Sequence, residues 1–321
     1  MKGTTKLAVL GALVILAVLP FLLTSSLMLI VFLSFLALVL AANYDIVGGY
    51  MGYINLAQGA FFGLGAYVAV VLLNLEGVQQ LGMAALPVAL MSAMVVSGLF
   101  AGLMSFPLFR LRGLYFAIAT LILLFLLQIL VTNLTDLTGG PYGIYVPRDY
   151  WLTDKAGYYF ALILAAISVG FNFYLSRSKL GLAFLCIKED EEAAHSIGIP
   201  LMRYKITGYI ISSLPSAAAG VVFALNSTFL DADIAMGVER SLLPPLMALL
   251  GGTGTVMGPV LGVIIIRSID VVFFHYLALS IPSMVPFGIT VMLVALIIPE
   301  GLLMSPRVRR LGAVLRSRFR S

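Results

Sequence analysis

The fold class of this chain follows from an uncharged apolar stretch, Leu114-Tyr-Phe-Ala-Ile-Ala-Thr-Leu-Ile-Leu-Leu-Phe-Leu-Leu-Gln-Ile-Leu-Val-Thr132. Its length is about the 20 residues that a helix needs to cross a bilayer core of about 30 Å. Similar runs recur along the 321 residues, of which 61% are hydrophobic and 10% charged, and the mean hydropathy is +1.10. Barrel strands would show short alternating segments instead. The sequence therefore predicts an all-α integral membrane protein, a polytopic helical bundle.

The other apolar runs predict the remaining crossings of this bundle. The first run follows Lys2 and Lys6 and is long enough to be an uncleaved signal-anchor helix. Residues 241–277 form either two short spans or a re-entrant hairpin, so the total is eight or ten transmembrane helices with glycine-broken segments. We place the clear spans near residues 7–24, 27–43, 59–75, 82–106, 114–132, 157–175, 205–226 and 284–299.

Basic residues predict the orientation, because Lys and Arg accumulate in cytoplasmic loops. They cluster near residues 110–112, within 177–205 and in the tail 307–321, whereas the loop 133–156 carries aspartates and the single tryptophan and is expected outside. We divide the chain into a transmembrane domain, residues 1–306, which includes a cytoplasmic segment at 177–204, and a basic cytoplasmic tail at 307–321. The net charge of +5 does not require a nucleic-acid partner, because the basic tail is placed to meet anionic lipid headgroups.

The cytoplasmic segment contains a predicted acidic helix of about two turns. Asp190 is a good N-cap, the two glutamates after it complement the positive end of the helix dipole, and Gly198 ends the helix. Ala194 and Ile197 would give it a small apolar contact on one side. A helix this short is marginal alone in water, so its own protein or a neighbour must hold it. This pattern favours docking on a soluble partner.

Two glycine-broken stretches lie beside apolar helices, one in each half of the chain: Asp45-Ile-Val-Gly-Gly-Tyr-Met-Gly-Tyr-Ile-Asn-Leu-Ala-Gln-Gly59 and Gly251-Gly-Thr-Gly-Thr-Val-Met-Gly-Pro259. Paired interruptions of this kind indicate a transport pathway, since broken backbone at membrane depth needs protein or water to satisfy it. The alternative is that the glycines only allow close helix packing. The candidate pathway residues are Asn55, Gln58, Gly251 and Gly252.

The polar residues of the first stretch have two interpretations. Asn55 and Gln58, with Asp45 before them, line a polar pathway, or Asp45 caps the start of a helix and the amides satisfy loosened backbone.

Further along the chain, Arg267 and Asp270 are one helical turn apart, a spacing that permits an ion pair within a span. Small residues at four-residue spacing predict close helix contacts at Gly59/Gly63, Gly98/Gly102, Ser212/Ser216/Gly220 and Gly258/Gly262.

Enzyme chemistry has little support in this sequence. Its two histidines, His195 and His275, are too far apart for a metal motif at ligand spacing, and the single Cys186 excludes an intrachain disulfide. No Gly-x-x-x-x-Gly-Lys-Ser/Thr loop is present, and the glycines after Gly251 have the wrong spacing for a dinucleotide loop. We expect no cofactor, no metal and no nucleotide site on this chain.

A family resemblance starts in the acidic helix. Glu192-Ala-Ala-His-Ser-Ile-Gly198 matches the Glu-Ala-Ala-x-x-x-Gly loop of ABC importer permeases, and the chain as a whole resembles the M-type permease subunit of branched-chain amino-acid importers. Further matching segments, in order, are Gly52–Tyr67, Leu111–Leu121, Thr138–Ile144, Gly181–Ile199, Ser212–Gly220, Leu250–Gly262 and Pro299–Leu302. The chain departs from the family at Leu182 and Leu185, where arginines are frequent, at Leu114, and at Pro215, which is expected to interrupt its helix.

The resemblance implies a transport subunit, not an enzyme, in the inner (plasma) membrane of a prokaryote. It implies a second permease subunit, two cytoplasmic ATPase subunits and an extracytoplasmic solute-binding protein as partners, with a branched-chain or related amino acid as cargo. Residues implied to couple to the ATPase are Lys188, Glu189, Glu192, Ala193, Ala194 and Gly198. The alternatives are a permease for urea or short amides and a self-sufficient secondary transporter, which would place ionisable residues along its pathway.

Overall fold

Thirteen helices and one pair of short strands make up the part of the chain that the computed structural model describes, residues 14–271 together with Gly11 and Met292. The helices are α1 Ser25–Gly48, α2 Gln58–Leu73, α3 Glu76–Gln79, α4 Ala85–Leu108, α5 Leu114–Asn133, α6 Thr135–Thr138, α7 Asp154–Leu175, α8 Lys179–Glu189, α9 Glu191–Ser196, α10 Leu201–Asn226, α11 Ala232–Met236, α12 Glu239–Gly251 and α13 Gly258–Val271. Single 3-10 turns lie at Leu19–Phe21, Gly82–Ala84, Gly140–Tyr142 and Arg148–Tyr150, and the strands are β1 Ile144–Tyr145 and β2 Phe229–Leu230.

Six segments of the described residues are long and apolar enough to cross a membrane, which confirms the polytopic all-α fold class. They are α1, α4 with the turn before it, α5, α7, α10, and α11 together with α12. Two further apolar helices, α2 and α13, are shorter. The tail 307–321 and, apart from Met292, the predicted span 284–299 lie outside the described residues, as do residues 7–10, 12 and 13 of the first predicted span.

Helix α10 lies at the centre of the bundle, where it packs on α2 and α4 and also contacts α1 and α7. Its small residues allow this contact: a Cβ on Gly220 would lie 1.8 Å from the carbonyl oxygen of Phe62 in α2. The predicted close packing at Gly220 is therefore confirmed. The expectation that Pro215 interrupts the helix is wrong, because α10 continues through it. Nearby, the Ser216 hydroxyl contacts the Ser212 carbonyl at 3.1 Å, so side-chain groups supplement the backbone bonding of this region.

Helix α1 is the second central element, in contact with α7, α10, α12 and α13. It buries polar side chains, and the amide of Asn172 in α7 donates to the Ala42 carbonyl at 2.8 Å. The helix continues to Gly48, beyond the predicted end at residue 43. Asp45 therefore lies in the last turn of α1, and the interpretation that it caps the start of a helix is wrong.

Basic residues of the predicted clusters at 110–112 and 177–205 come together at one end of the bundle, which we call the basic end. Arg112 follows α4, Lys205 begins α10, and both contact Glu191 of α9. At the opposite end β1 pairs antiparallel with β2, and the Leu152 amide donates to the Leu225 carbonyl at 2.9 Å. The preference of basic residues for the cytoplasm predicts that the basic end faces inside.

The ambiguous stretch 241–277 begins as a helical hairpin. Helices α12 and α13 pack antiparallel around the turn 252–257, so closely that a Cβ on Gly262 would lie 1.7 Å from the Met247 carbonyl oxygen and one on Gly251 would lie 1.7 Å from the Gly258 carbonyl oxygen. Helix α12 joins α11 to reach the length of a span, whereas α13 is shorter over its described residues. The side chain of Asp270 lies outside the described part of the structure, so its pairing with Arg267 stays a prediction.

Candidate functional site

The predicted acidic helix is the second half of a bent pair of helices at the basic end. Ser178 caps α8, since its hydroxyl accepts a hydrogen bond from the Gly181 amide at 3.1 Å. Asp190, in extended conformation, separates the two helices, and its Oδ1 accepts from the amides of Glu192 and Ala193 at 2.8 and 3.1 Å. Gly198, at a φ of +87°, ends the second helix. The predicted N-cap and stop are therefore confirmed.

Glu191 anchors this short helix to the bundle. Its Oε1 lies 2.6 Å from Nζ of Lys205 and accepts a hydrogen bond from the Tyr53 hydroxyl, and its Oε2 lies 3.5 Å from Arg112. The side chain of Lys205 is only 6% exposed, and its ammonium also donates to the Tyr53 hydroxyl at 2.7 Å. The segments that precede α2 and α5 thus meet α10 at one carboxylate, that of Glu191 in α9.

The pKa of Glu191 reflects these partners. Burial by itself would raise it, but the hydrogen bonds from Lys205 and Tyr53, together with the positive charges of Lys205 and Arg112, outweigh that effect. The pKa of Glu191 therefore lies below its ordinary value, and the carboxylate is ionised at neutral pH.

The outer face of α9 is free of the bundle. Among the residues predicted to couple to an ATPase, Glu189, Glu192, Ala193 and Gly198 are exposed, whereas Ala194 is 2% exposed and packs inward. Of the two residues predicted to give an apolar contact, Ala194 packs on the bundle and Ile197 is 73% exposed, so a contact by Ile197 stays a prediction. The exposed surface at α9 therefore presents the carboxylates of Glu189 and Glu192 and the apolar side chain of Ile197.

Lys188, the remaining residue of that predicted set, contacts the first broken segment. Its Nζ donates to the Gly49 carbonyl oxygen at 2.8 Å. Next to this contact, the Asp45 carboxylate accepts a hydrogen bond from the Gly254 amide at 2.8 Å, which links the first broken segment to the second. The two broken segments and helix α8 therefore meet at the basic end.

Asn55 and Gln58 lie fully buried where the first broken segment enters α2. Asn55 Oδ1 accepts from the Ala57 amide at 3.0 Å, and Gln58 Oε1 accepts from the Ser216 hydroxyl at 2.6 Å. Within the described residues the amide nitrogens of both side chains have no hydrogen-bond partner. One oxygen thus stabilises loosened backbone and the other holds α10, while the place of both side chains in a pathway stays a prediction.

The glycines of the second broken segment shape its turn. Gly252 has a φ of +117°, and its carbonyl accepts from the Thr255 hydroxyl at 2.7 Å. Gly251 lies in the close contact with Gly258 described above. Both glycines therefore have a packing or turn role in this structure, and their place in a pathway stays a prediction.

A polar cleft of about 430 Å³ opens at the opposite end of the bundle, between α5 and α11. Its lining includes Asp231, Asp233, Gln128 and Asn133. It contrasts with the apolar outer surfaces of α4 and α5, which match a lipid environment. Polar groups thus lie at both ends of the bundle.

Comparison with known proteins assigns the family. The family described as branched-chain amino acid transport system / permease component matches residues 22–297 of this chain. The chain belongs to this family. The permease is 29% identical to the high-affinity branched-chain amino acid transport system permease protein LivM of Escherichia coli (strain K12), over 93% of this chain and 75% of that protein.

Two further relatives have the same kind of description. The probable branched-chain amino acid transport permease protein LivM of Methanocaldococcus jannaschii is 27% identical over 69% of each chain. LivH of Escherichia coli (strain K12), a high-affinity branched-chain amino acid transport system permease protein, is 23% identical over 84% of this chain and 92% of its own length. No solved structure matches the permease.

Some polar contacts of the permease were missed by sequence reasoning. Tyr53, Arg112 and Lys205 were not assigned to the acidic helix, although the charges of the last two are complementary to it. Arg240 was also missed: its guanidinium lies 4.7 and 4.3 Å from the ring centres of Phe62 and Phe223. An arginine within an apolar span was a signal that could have found it.

Proposed function

We propose that this chain is the permease subunit of an ATP-driven importer for branched-chain or related amino acids. As a multi-pass protein of the plasma membrane, it would work with a second permease, two cytoplasmic ATPases and an extracytoplasmic solute-binding protein. The energy would come from the ATPases, since the sequence has no Gly-x-x-x-x-Gly-Lys-Ser/Thr loop. Its family and the names of its relatives support this assignment.

The observation that carries the coupling role is the division of α9 into an anchored face and a free face. Glu191 holds the anchored face through Lys205, Arg112 and Tyr53, while Glu192 and Ala193 remain exposed. A helix of six residues has little stability of its own, so the anchors are what keep it in place. A partner that moves the free face therefore moves the bundle as well.

The mechanism follows from these two faces. When the ATPases draw together on ATP, the exposed residues of α9 are displaced with them. Glu191 passes that displacement to Lys205 at the start of α10 and to Tyr53 in the first broken segment. ATP can shift the permease between two conformations only through contacts that differ between them, and the docked α9 provides such contacts.

Replacement of Gly198 by Leu tests this coupling role. No atom lies within 4 Å of the position of a Cβ on Gly198, so the new side chain meets no part of the described bundle and projects toward the partner. The matched control is Gly82→Leu at the opposite end, because Gly82 also has a positive φ, of +55°, and open space around it. Both changes place a side chain with a Cβ at a positive φ.

We expect Gly198→Leu to reduce binding-protein-stimulated ATP hydrolysis and uptake in vesicles at least tenfold, with Gly82→Leu close to wild type. Equal behaviour of the two variants would refute the coupling role. Copurification adds an independent test, since an ATPase should remain with the solubilised chain. Uptake by the chain alone in liposomes would instead establish a self-sufficient carrier.

A further inference from the structure

Four residues form a compact joint between α8 and both broken segments: Asp45, Gly49, Lys188 and Gly254. The Lys188 ammonium donates to the Gly49 carbonyl at 2.8 Å, and the Gly254 amide donates to Asp45 Oδ1 at 2.8 Å. Asp45 and Gly49 are one helical turn apart, so the two hydrogen bonds are adjacent. We use the name "joint" for these four residues.

The backbones at the joint approach more closely than side chains would allow. A Cβ on Gly49 would lie 2.0 Å from Asp45 Oδ1 and 2.4 Å from the Gly254 amide nitrogen. Gly254 has a φ of +75°, and a Cβ there would lie 3.1 Å from the Gly49 carbonyl oxygen. Direct backbone contact thus brings the two broken segments together, with the lysine ammonium beside them.

Asp45 is 1% exposed, within the last turn of an apolar helix. A buried carboxylate is weak evidence for added stability, because its desolvation offsets much of what its hydrogen bond contributes. Ionisable groups inside a membrane protein mark functional positions more often than structural ones. The partner of this carboxylate is a backbone amide in a turn, which a small displacement of that turn would release.

We propose that Asp45 and Lys188 are positioning residues that transmit the movement of α8 to the transport pathway. Lys188 connects α8 to the first broken segment at Gly49, and Asp45 connects that segment to the second at Gly254. Displacement of α8 then moves both segments together, instead of moving each through helix packing alone. This inference rests on the proposed function, since it requires an ATPase that drives the bent pair α8 and α9.

The proposal separates two quantities that a purely structural role would change together: ATP hydrolysis and the amount of solute moved. Without the joint, the ATPases still act on α9, but the broken segments no longer follow. The solute moved per ATP hydrolysed should therefore fall. Couplings between sites in proteins typically amount to about five- to 150-fold, and we expect a decrease of about tenfold.

The test uses the complete transporter, with its ATPases and binding protein, in vesicles. Asp45→Ala removes the acceptor of the Gly254 amide, and Lys188→Met removes the donor to Gly49. Asp45→Asn keeps an oxygen that accepts from Gly254, and Lys188→Arg keeps a cationic donor. The matched control is Lys179→Met, which removes the same charge from an exposed position at the start of the same helix.

We expect the solute moved per ATP to fall about tenfold in Asp45→Ala and Lys188→Met, to recover in Asp45→Asn and Lys188→Arg, and to stay unchanged in Lys179→Met. Lys188 is exposed, so its variants test the inference even if Asp45→Ala fails to fold. If uptake and hydrolysis fall in parallel, with a constant ratio, the proposed role of the joint is refuted but the proposed function of the chain is not. A wild-type transporter without coupled hydrolysis would overturn the proposed function and the joint with it.

Discussion

Replacing Glu191 by Gln changes one oxygen of the anchor into an amide group and leaves the length of the side chain unchanged. The substitution weakens the ion pair between Glu191 and Lys205, which is largely buried: 6% of the Lys205 side chain and 17% of the Glu191 side chain are exposed. An exposed ion pair contributes about 0–1 kcal/mol, whereas removal of one partner from a buried pair costs about 3–5 kcal/mol. Gln keeps an oxygen that accepts from Lys205, so we expect a loss of about 2–3 kcal/mol in the free energy of unfolding.

The natural assay is equilibrium unfolding of the purified chain in mixed micelles, followed through the fluorescence of its single tryptophan, Trp151. Glu192→Gln is the matched control, since it makes the same chemical change one residue along on the exposed face. That control should change the free energy of unfolding by less than about 0.5 kcal/mol. It should nevertheless weaken stimulation of ATP hydrolysis, because Glu192 lies on the exposed face that we propose contacts the ATPase.

A double-mutant cycle isolates the contribution of the pair. The four proteins are the wild type, Glu191→Gln, Lys205→Met and the double variant, and their free energies of unfolding give the interaction between the two side chains. We expect an interaction of at least about 1 kcal/mol. A value near zero, or equal losses for Glu191→Gln and Glu192→Gln, would refute the anchoring argument.

Three further predictions concern stability and its dependence on pH. Gly220→Ala should lower the free energy of unfolding by about 1–3 kcal/mol, because its Cβ would lie 1.8 Å from the Phe62 carbonyl oxygen. Gly170→Ala is the control: its Cβ would have nothing within 4 Å, so it should be neutral or stabilising in the same unfolding assay. Because the pKa of Glu191 is lowered in the folded state, its contribution to the free energy of unfolding is complete above the unfolded-state pKa of about 4.3 and is lost as pH falls through the folded-state pKa. When unfolding is measured from pH 7 to 3, the difference in free energy of unfolding between wild type and Glu191→Gln should therefore shrink only below about pH 4. Arg240→Lys should lose about 1–2 kcal/mol, since Lys lacks the planar group that lies against two aromatic rings, and an unchanged unfolding midpoint would contradict this.

The parts of the site that sequence reasoning predicted are local in the chain. Asp190 caps the backbone amides two and three residues after it, and Gly198 ends the helix through its own backbone conformation. Both effects depend on residue types within a few positions, so the order of residues is enough to predict them. The apolar spans are predictable for the same reason, because length and composition decide whether a helix can cross a bilayer.

The parts that were missed or wrong depend on packing between distant segments. Glu191 meets Tyr53 and Lys205 only because the segment before α2 and the N-terminal part of α10 come together at the basic end. Ala194 and Ile197 were expected to form one apolar side, yet Ala194 is buried and Ile197 is exposed, because a helix of six residues has too few turns for its apolar pattern to determine which residues face the bundle. The end of α1 was placed too early, since the polar Asp45 resembles a helix boundary unless its distant partner is known.

The hydrogen bond between Asp45 and Gly254 also has a consequence for how the chain is made. Its two residues are 209 positions apart, and at about 5–20 residues per second their synthesis is separated by about 10–40 s. Throughout that interval α1 is in the membrane with a carboxylate whose final donor does not yet exist. We therefore expect the nascent chain to need temporary hydration or a chaperone at this position, and chains that stop before residue 254 to be removed by membrane proteases.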